Sequence, residues 1–402
     1  MPLFDVDFEK TRKELLGVLS DAAELTDDQI YEIIDVIVME KGREQRLPLA
    51  VKENLREELF SSVRKLDVIQ PLIDDCDVTE VMVNGYRDIF YEKNGVIKKY
   101  EKSFADEDRL HDIIDQIAGK CNRVVNEQSP IVDARLENGD RVNIVLPPVS
   151  LNGAILTIRR FPKDPVTMDQ LVKWGSITAE AAAFLRSAVA AGYSIIVGGG
   201  TSTGKTTFLN ALSEYIPKGE RIITIEDNAE LQIRGIENLV RLEAKSANFD
   251  DGREITIRDL IKAALRMRPS RIIIGEVRGQ EAGDFLTCLN TGHSGSLGTA
   301  HTNSARDMIS RLEMMVRMGA DLPIPVIRGQ IASGVDLVIQ LCRDASGKRK
   351  VEEIAEIIGM ENEEVCMHTL FGRSSGGELL RIDMLEKTGK MEMYEQAMKK
   401  QN

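Results

Sequence analysis

A lysine and a threonine closing a glycine-rich run are residue types suited to holding a polyphosphate. Residues Gly199-Gly200-Thr201-Ser202-Thr203-Gly204-Lys205-Thr206 match G-x-x-x-x-G-K-[ST] at every fixed position, the P-loop pattern. Glycines let the backbone approach the phosphates, which side chains would hold away. Backbone N–H groups and a helix N-terminus make such a loop an anion site. Lys205 supplies a point charge for β- and γ-phosphates, and the Thr206 hydroxyl can ligate Mg²⁺. Thr207 extends the candidate nucleotide-binding set.

Three later apolar runs end in polar groups. Ile222–Ile225 ends in Glu226-Asp227, Arg271–Gly275 in Glu276, and Leu297–Ala300 in His301-Thr302-Asn303. Phosphoryl transfer needs charge neutralisation, a metal ion and one group that orients the attacking water. A carboxylate can fill the last role, and either Glu226 or Glu276 would serve. His293 and His301 lie eight positions apart in a Gly/Ser/Thr-rich stretch and read as a γ-phosphate sensor. As a metal pair they would lack a third His or a Cys.

These groups need a scaffold. Tyr193–Val197 reads as a buried strand before the loop, and Phe208, Leu209, Leu212, Tyr215 and Ile216 recur at helical spacing after it. Strands are expected at Ile195–Val197, Ile222–Ile225, Ile272–Ile274, Leu297–Ala300 and Val335–Leu341. Helices are expected around Ile257, Ile261, Ala264 and Leu265, and around Ala282, Phe285, Leu286 and Leu289 with Gly292 as a stop. Ser304 is placed to cap a helix running to Gly319. The pattern predicts an α/β domain with a mostly parallel sheet, followed by strand-like runs at Val351–Ile358 and Val365–Leu370 and a charged helix. Ligands of such sheets collect beyond the carboxyl ends of the strands.

Upstream, the period changes. Ile89–Glu92 and Val96–Lys98 flank Asn94-Gly95, and Leu136-Glu137 and Arg141–Val145 flank Asn138-Gly139, two hairpin signals. Leu110, Ile113, Ile114 and Ile117 mark a helix between them, so an α+β domain is expected over 71–161. Phe161–Pro165, with two prolines, reads as a linker, set at 162–166, before a domain over 167–402. Residues 1–70 read as a helical bundle: Thr26 and Gln29 form a capping box before Ile30, Ile33, Ile34, Ile37 and Val38, and Leu55, Leu59 and Val63 repeat the spacing.

The 402-residue chain carries 52 Lys+Arg against 65 Asp+Glu, a net charge of −13 that argues against general nucleic-acid binding. Five scattered cysteines, with no C-x-x-C pair, oppose a disulfide framework and fit a reducing compartment. No apolar run approaches the roughly 18–20 residues needed to span a bilayer, and no signal peptide is seen, so a cytoplasmic protein is expected.

The order of motifs resembles the secretion-ATPase superfamily. The loop, Ile225-Glu226-Asp227, Arg266-Met267-Arg268-Pro269 leading into Ile274-Gly275-Glu276-Val277-Arg278-Gly279, Thr291-Gly292-His293 and Thr299–Asn303 resemble the Walker A, Asp box, Walker B and His box of type II/IV secretion and type IV pilus motors. Gly275 stands where other P-loop proteins carry an Asp. Val81–Gly85, Asn138–Val142, Leu146–Ser150 and Ile158–Phe161, with the helical leader, resemble the CpaF branch, the assembly motor of tight-adherence (Flp) pili. Ser270 and Tyr86 depart from the pattern, outside the catalytic set. The resemblance implies a RecA-like P-loop NTPase domain preceded by an α+β (PAS-like) domain, a homo-hexamer, ATP and Mg²⁺ as cofactors, and an inner-membrane platform protein as partner, which would make the chain peripheral to that membrane. It makes Arg141 and Arg159, with Arg135 and Arg160 behind them, candidates to reach the phosphates, His301 a γ-phosphate sensor, and Glu226 a co-catalyst or Mg²⁺ ligand. Asp227, His293 and Arg278 are secondary candidates. Cargo stays open: a type IV secretion motor, a pilus-retraction motor, a low-turnover nucleotide-dependent scaffold and a RecA-type nucleic-acid motor are the rivals.

Overall fold

The chain folds into two units, 1–163 and 164–402. The structure, a computed structural model, describes residues 8–19, 25–93, 95–121, 123–136, 138–160, 165–245, 254–344, 346–374 and 376–401. Residues 161–164, most of the expected linker, and Asn94 and Glu137 of the expected hairpins lie outside them.

The first unit begins with helices α1 (Phe8–Leu19), α2 (Asp27–Glu44), α3 (Leu49–Arg64) and the short α4 (Gln70–Asp74). The Thr26–Gln29 capping box starts α2 as the sequence predicts. Leu15, Ile30, Ile34, Ile37, Val38, Leu55, Leu59 and Phe60 bury together between α1, α2 and α3. Strands β1 (Val78–Asn84), β2 (Asp88–Lys93) and β3 (Val96–Lys99), helix α5 (Glu107–Lys120), and strands β4 (Ile131–Arg135), β5 (Arg141–Val145) and β6 (Ile155–Arg159) follow. The strands form one sheet in the order β3-β2-β1-β6-β5-β4, antiparallel at each pairing. The first arm of the second hairpin ends at Arg135, just before the expected Leu136-Glu137. Val81, Val83, Val142, Ile144, Leu156 and Ile158 point from one face into a core shared with Leu110, Ile113, Ile114 and Ile117 of α5. The other face carries the polar alternates, as expected of an antiparallel sheet covered on one side. Arg109 of α5, 6% exposed, pins the leader to this domain: its Nε donates to Asp67 at 2.5 Å and its Nη2 to the Ser62 carbonyl.

The second unit runs α6 (Met168–Lys173), α7 (Ala179–Ala190), β7 (Ile195–Gly199), α8 (Lys205–Ser213), β8 (Ile222–Glu226), β9 (Leu239–Glu243), α9 (Ile257–Ala264), β10 (Arg271–Val277), α10 (Glu281–Asn290), β11 (Leu297–Ala300), α11 (Asp307–Gly319), α12 (Ile324–Gly334), β12 (Leu337–Arg343), β13 (Arg349–Glu361), β14 (Glu364–Arg373), β15 (Leu379–Arg381) and α13 (Gly389–Gln401). The sheet order is β15-β14-β13-β12-β7-β11-β10-β8-β9. From β12 to β9 the pairings are parallel, and from β12 to β15 antiparallel. Every residue of β7, β8 and β11 is buried, because helices cover both faces. Alternation sorts neighbours: Ile196, Ile223, Ile225, Ile272 and Ile274 pack with α9–α12, whereas Ile195, Val197, Ile222 and Ile273 pack with α6–α8. Gly292 follows α10 at φ +93° as the sequence predicts; Ser304 accepts the Asp307 N–H at 3.1 Å, but the cap position of α11 is Arg306 rather than Ser304. Strand β9 has no counterpart among the expected strands, since Arg241 and Glu243 break its apolar run.

The start of β10 is fixed by a buried cation. Arg271, 3% exposed, grips Glu220 with Nε at 2.5 Å and Nη2 at 2.7 Å, and its Nη1 donates to the Val189 carbonyl at 2.6 Å. Removing one side of such a pair strands the other charge and leaves a carbonyl unmet. Arg271→Ala is expected to destabilise this unit by about 3 kcal/mol, read from the midpoint of urea unfolding at unchanged slope.

Candidate active site

Parallel strands end together, so the loops after β7, β11, β10 and β8 share one edge of the sheet. Strand spacing sets their distances from β7 at roughly 5, 10 and 14 Å in that order. His301 follows β11, Glu276 lies near the end of β10, and Glu226 ends β8.

The loop after β7 is shaped by close approach. A Cβ at Gly198 would sit 2.3 Å from Thr302 Oγ1 and 2.6 Å from Gln340 Oε1, and one at Gly199 would sit 2.5 Å from Thr203 Oγ1. Ser202 takes φ +58° and Gly204 φ +91°, and α8 starts at Lys205. The Lys205 ammonium, 8% exposed, donates to the carbonyls of Gly199 at 3.1 Å and Gly200 at 3.0 Å. Burial holds its pKa below the usual lysine range, against the opposing pull of Glu276. Thr201 is exposed at the crest, and Thr206 and Thr207 lie in the first turn of α8.

A chain of polar contacts leaves Lys205. Its Nζ lies 3.4 Å from both ring nitrogens of His301, and His301 Nε2 lies 2.7 Å from Glu276 Oε1. Glu276 Oε2 accepts from Arg278 Nη2 at 2.5 Å, and Arg278 Nη1 is 3.8 Å from Asp227. Desolvation lowers the His301 pKa, against the opposing pull of Glu276. Lys205, His301, Glu276, Arg278 and Asp227, read from separate segments, thus form one group.

His293 does not join them. It sits in the turn before β11, where its carbonyl accepts from Ser296, and His301 follows the strand's other end. Buried β11 runs between them, so the two expected histidines lie at opposite ends of that strand. Among the described residues no cluster of three or more His, Cys, Asp or Glu is arranged for a metal ion.

Glu226 is 2% exposed. Its Oε2 accepts the N–H groups of Glu230 and Leu231, each at 2.7 Å, whereas Oε1 is buried with no hydrogen-bond partner. Desolvation pushes its pKa up to about 7 against those two donors. A Cβ at Gly275 would lie 2.9 Å from Glu226 Cγ, which explains the glycine in β10: the neighbouring glutamate fills the space an aspartate would need. The orphaned carboxylate oxygen of Glu226 is of the hard-donor type that Mg²⁺ takes.

In the first unit the arginines fall into register. Arg135 pairs with Arg141 across β4–β5, and Arg141 with Arg159 across β5–β6, so three like charges share one row on the solvent side. Arg135 Nε donates to the Gly139 carbonyl at 3.1 Å, and Arg141 lies 3.8 Å from Asp133. Arg160 is different: its Nη1 donates to the Asp75 and Val78 carbonyls, and its Nε is 3.8 Å from Asp140. Its guanidinium fastens the edge of β1.

Residues missed by sequence reasoning include Thr302 and Gln340, whose side chains bond at 2.8 Å behind Gly198. A glutamine inside the apolar run Val335–Leu341 was the available signal. Because Glu226 holds a proton up to about pH 7 when folded, against about 4.5 unfolded, native stability falls as pH rises through that window and levels off above it. Glu226→Gln is expected to raise the melting temperature of the Mg²⁺-free protein, with a gain that grows from pH 5 to pH 8 to on the order of 3 kcal/mol. Gly275→Ala is expected to destabilise by about 1–3 kcal/mol, seen in the same melts.

The family model for type II/IV secretion system proteins matches residues 63–401. A putative conjugal transfer protein of Mycobacterium tuberculosis is 34% identical over 311 residues, covering 76% of this chain and 88% of that protein. The type IV secretion system protein PtlH of Bordetella pertussis is 34% identical over 315 residues, covering 72% and 93%. The crystal structure of the pilus retraction motor PilT with bound ADP superposes with a TM-score of 0.54 at 19% identity, over 84% of this chain and 88% of that one, which carries the RecA-like fold. By sequence, motif order and fold the chain belongs to the type II/IV secretion system protein family, and it is built as an ATP hydrolase.

Proposed function

We propose that this chain is a Mg²⁺-dependent motor ATPase that works as a homo-hexamer in the cytoplasm, peripheral to the inner membrane, and drives a membrane platform protein of a pilus or secretion system. The observation that carries the catalytic reading is the continuous contact from Lys205 through His301 to Glu276 at the open edge of the sheet. No described helix is long and apolar enough to cross a membrane, in keeping with a platform as the membrane partner.

In this reading residues 199–207 cradle the triphosphate and Lys205 neutralises β/γ charge. The buried lysine meets two carbonyls and an imidazole, so an arriving phosphate brings the counter-charge it lacks. Glu276 orients the attacking water, with Arg278 holding its second carboxylate oxygen and His301 lying against its first. His301 senses the γ-phosphate and relays its position between Lys205 and Glu276. Thr206 and Glu226 are the ligands proposed for Mg²⁺, which when bound would screen the phosphate charge. The row Arg135–Arg141–Arg159 is balanced in part by Asp133 and by Glu80, which stands opposite Arg159 on β1, and Arg141 and Arg159 are the proposed arginine fingers.

Cargo divides into two readings. The hairpin-domain motifs and helical leader support tight-adherence pilus assembly. The conjugal-transfer and PtlH relatives favour a type IV secretion motor. Prepilin genes beside this gene would support the first, conjugation genes the second.

Lys205→Ala is expected to abolish MgATP binding and turnover in a phosphate-release assay. Glu276→Gln is expected to keep binding and lose about 100-fold or more in kcat. Wild-type rates in both variants would remove the catalytic assignment. Arg141→Ala with Arg159→Ala is expected to lower kcat by about 10³-fold in the assembled ring while leaving nucleotide affinity of the isolated chain unchanged.

A further inference from the structure

We propose that Arg343 and Arg349 are positioning residues that clamp the phosphate loop in its anion-accepting conformation, and that Ser176 ties this clamp to the turn between α6 and α7. The inference deepens the nucleotide-binding reading above and rests on it.

Two guanidiniums meet on one atom. Arg343 Nε donates to the Ser202 carbonyl at 3.0 Å, and Arg349 Nε donates to the same oxygen at 3.1 Å. They arrive from opposite strands of a hairpin, where Arg343 and Arg349 are direct partners across β12–β13. Like charges directly opposite on a sheet repel. A shared carbonyl acceptor offsets that repulsion only if both chains reach it, and here both do.

Topology brings them there. Strand β12 runs parallel beside β7 with Leu341 opposite Gly199, so its next two residues pass alongside the loop. The chain turns at Gly347, with φ +82°, and returns Arg349 to the same place. Arg349 Cδ lies 3.3 Å from where a Gly204 Cβ would be, so its stem covers the glycine that starts α8.

The Ser202 carbonyl needs a hold. Ser202 is a non-glycine residue at φ +58°, a conformation that L side chains disfavour. In a planar trans peptide the carbonyl and the following N–H point opposite ways. Fixing the Ser202 oxygen on the hairpin therefore fixes the Thr203 N–H away from it, as an amide available to the phosphate cradle. Thr203 Oγ1 donates to the Gly200 carbonyl at 2.9 Å and closes the loop from its other side.

The clamp has a second anchor. The Arg349 carbonyl accepts the Ser176 hydroxyl at 2.9 Å, and the Ser176 carbonyl accepts the Val351 N–H at 2.8 Å. Ser176 is 8% exposed and lies between α6, the first helix of this unit, and α7. A shift of the loop crest on phosphate binding would pull on Arg349 and through it on that turn.

The test titrates MgADP into the full-length chain by calorimetry and measures steady-state ATPase. The double variant Arg343→Ala/Arg349→Ala is expected to weaken MgADP affinity and raise KM by about tenfold or more while retaining kcat at saturation within about twofold. A merely structural loss would instead lower kcat in proportion to the active fraction and leave KM unchanged, and that result overturns the clamp. Arg343→Lys/Arg349→Lys keeps both charges without the planar Nε–H and is expected to bind as weakly as the alanine pair. Wild-type affinity in either double variant also overturns it. Ser176→Ala and Arg349→Ala are expected to couple non-additively in KM. Simple additivity removes the tie to Ser176. A wild-type chain that binds no MgADP, matching Lys205→Ala, would remove the nucleotide reading and the clamp together. Wild-type binding with unaffected clamp variants removes the clamp alone.

Discussion

A buried lysine sets the terms for one whole edge of the sheet. Lys205 is withdrawn from water and held by two carbonyls of its own loop, with the His301 imidazole beside it. Dipoles hold a cation in place without cancelling its charge, and its lowered pKa records the desolvation that remains. The loop is therefore prepared for an anion that arrives with its own counter-charge. Everything nearby keeps that preparation: glycines where carbonyls and side chains crowd the loop, His301 between the lysine and Glu276, and Arg278 holding the far side of that carboxylate.

The two glutamates at strand ends live in different surroundings. Glu276 is engaged by a histidine and an arginine near the open edge. Glu226 lies one strand further out, almost fully buried, with one oxygen satisfied by backbone amides and the other unmet. The Cβ-less Gly275 makes room for it. One position in β10 thus decides both which strand supplies the inner carboxylate and how dry the other one stays. Separate environments for paired carboxylates are how one site divides acid, base and ligand roles.

Arginines recur in opposed pairs on both units. The row Arg135–Arg141–Arg159 crosses three strands of the first sheet, and Arg343–Arg349 faces itself across a hairpin of the second. In a chain of net charge −13, clustering like charges at these registers is unfavourable unless something negative or polar is shared. In the hairpin the shared group is visible, the Ser202 carbonyl. Arg160, one residue beyond the first row, shows the opposite use, since its guanidinium is consumed by backbone carbonyls.

Much of this was written locally. The loop, its flanking strand and helix, the capping box at Thr26, the Gly292 stop and the carboxylates at strand ends are short-range signals, and each reads from a few adjacent residues. Strand β9 escaped because charges interrupt its apolar alternation, and it is held mainly by pairing with β8. The histidine pair failed because spacing along the chain does not say that a buried strand runs between them. Sheet order did not follow from the sequence either: it alone places β11 and β10 between the loop and Glu226, and brings β12 alongside Gly199. The sequence by itself determined which residues could bind phosphate and orient water, because those choices are made by side-chain type and backbone freedom. Tertiary structure decided which of them meet, because hydrogen-bond register between distant strands sets neighbours that no local pattern encodes.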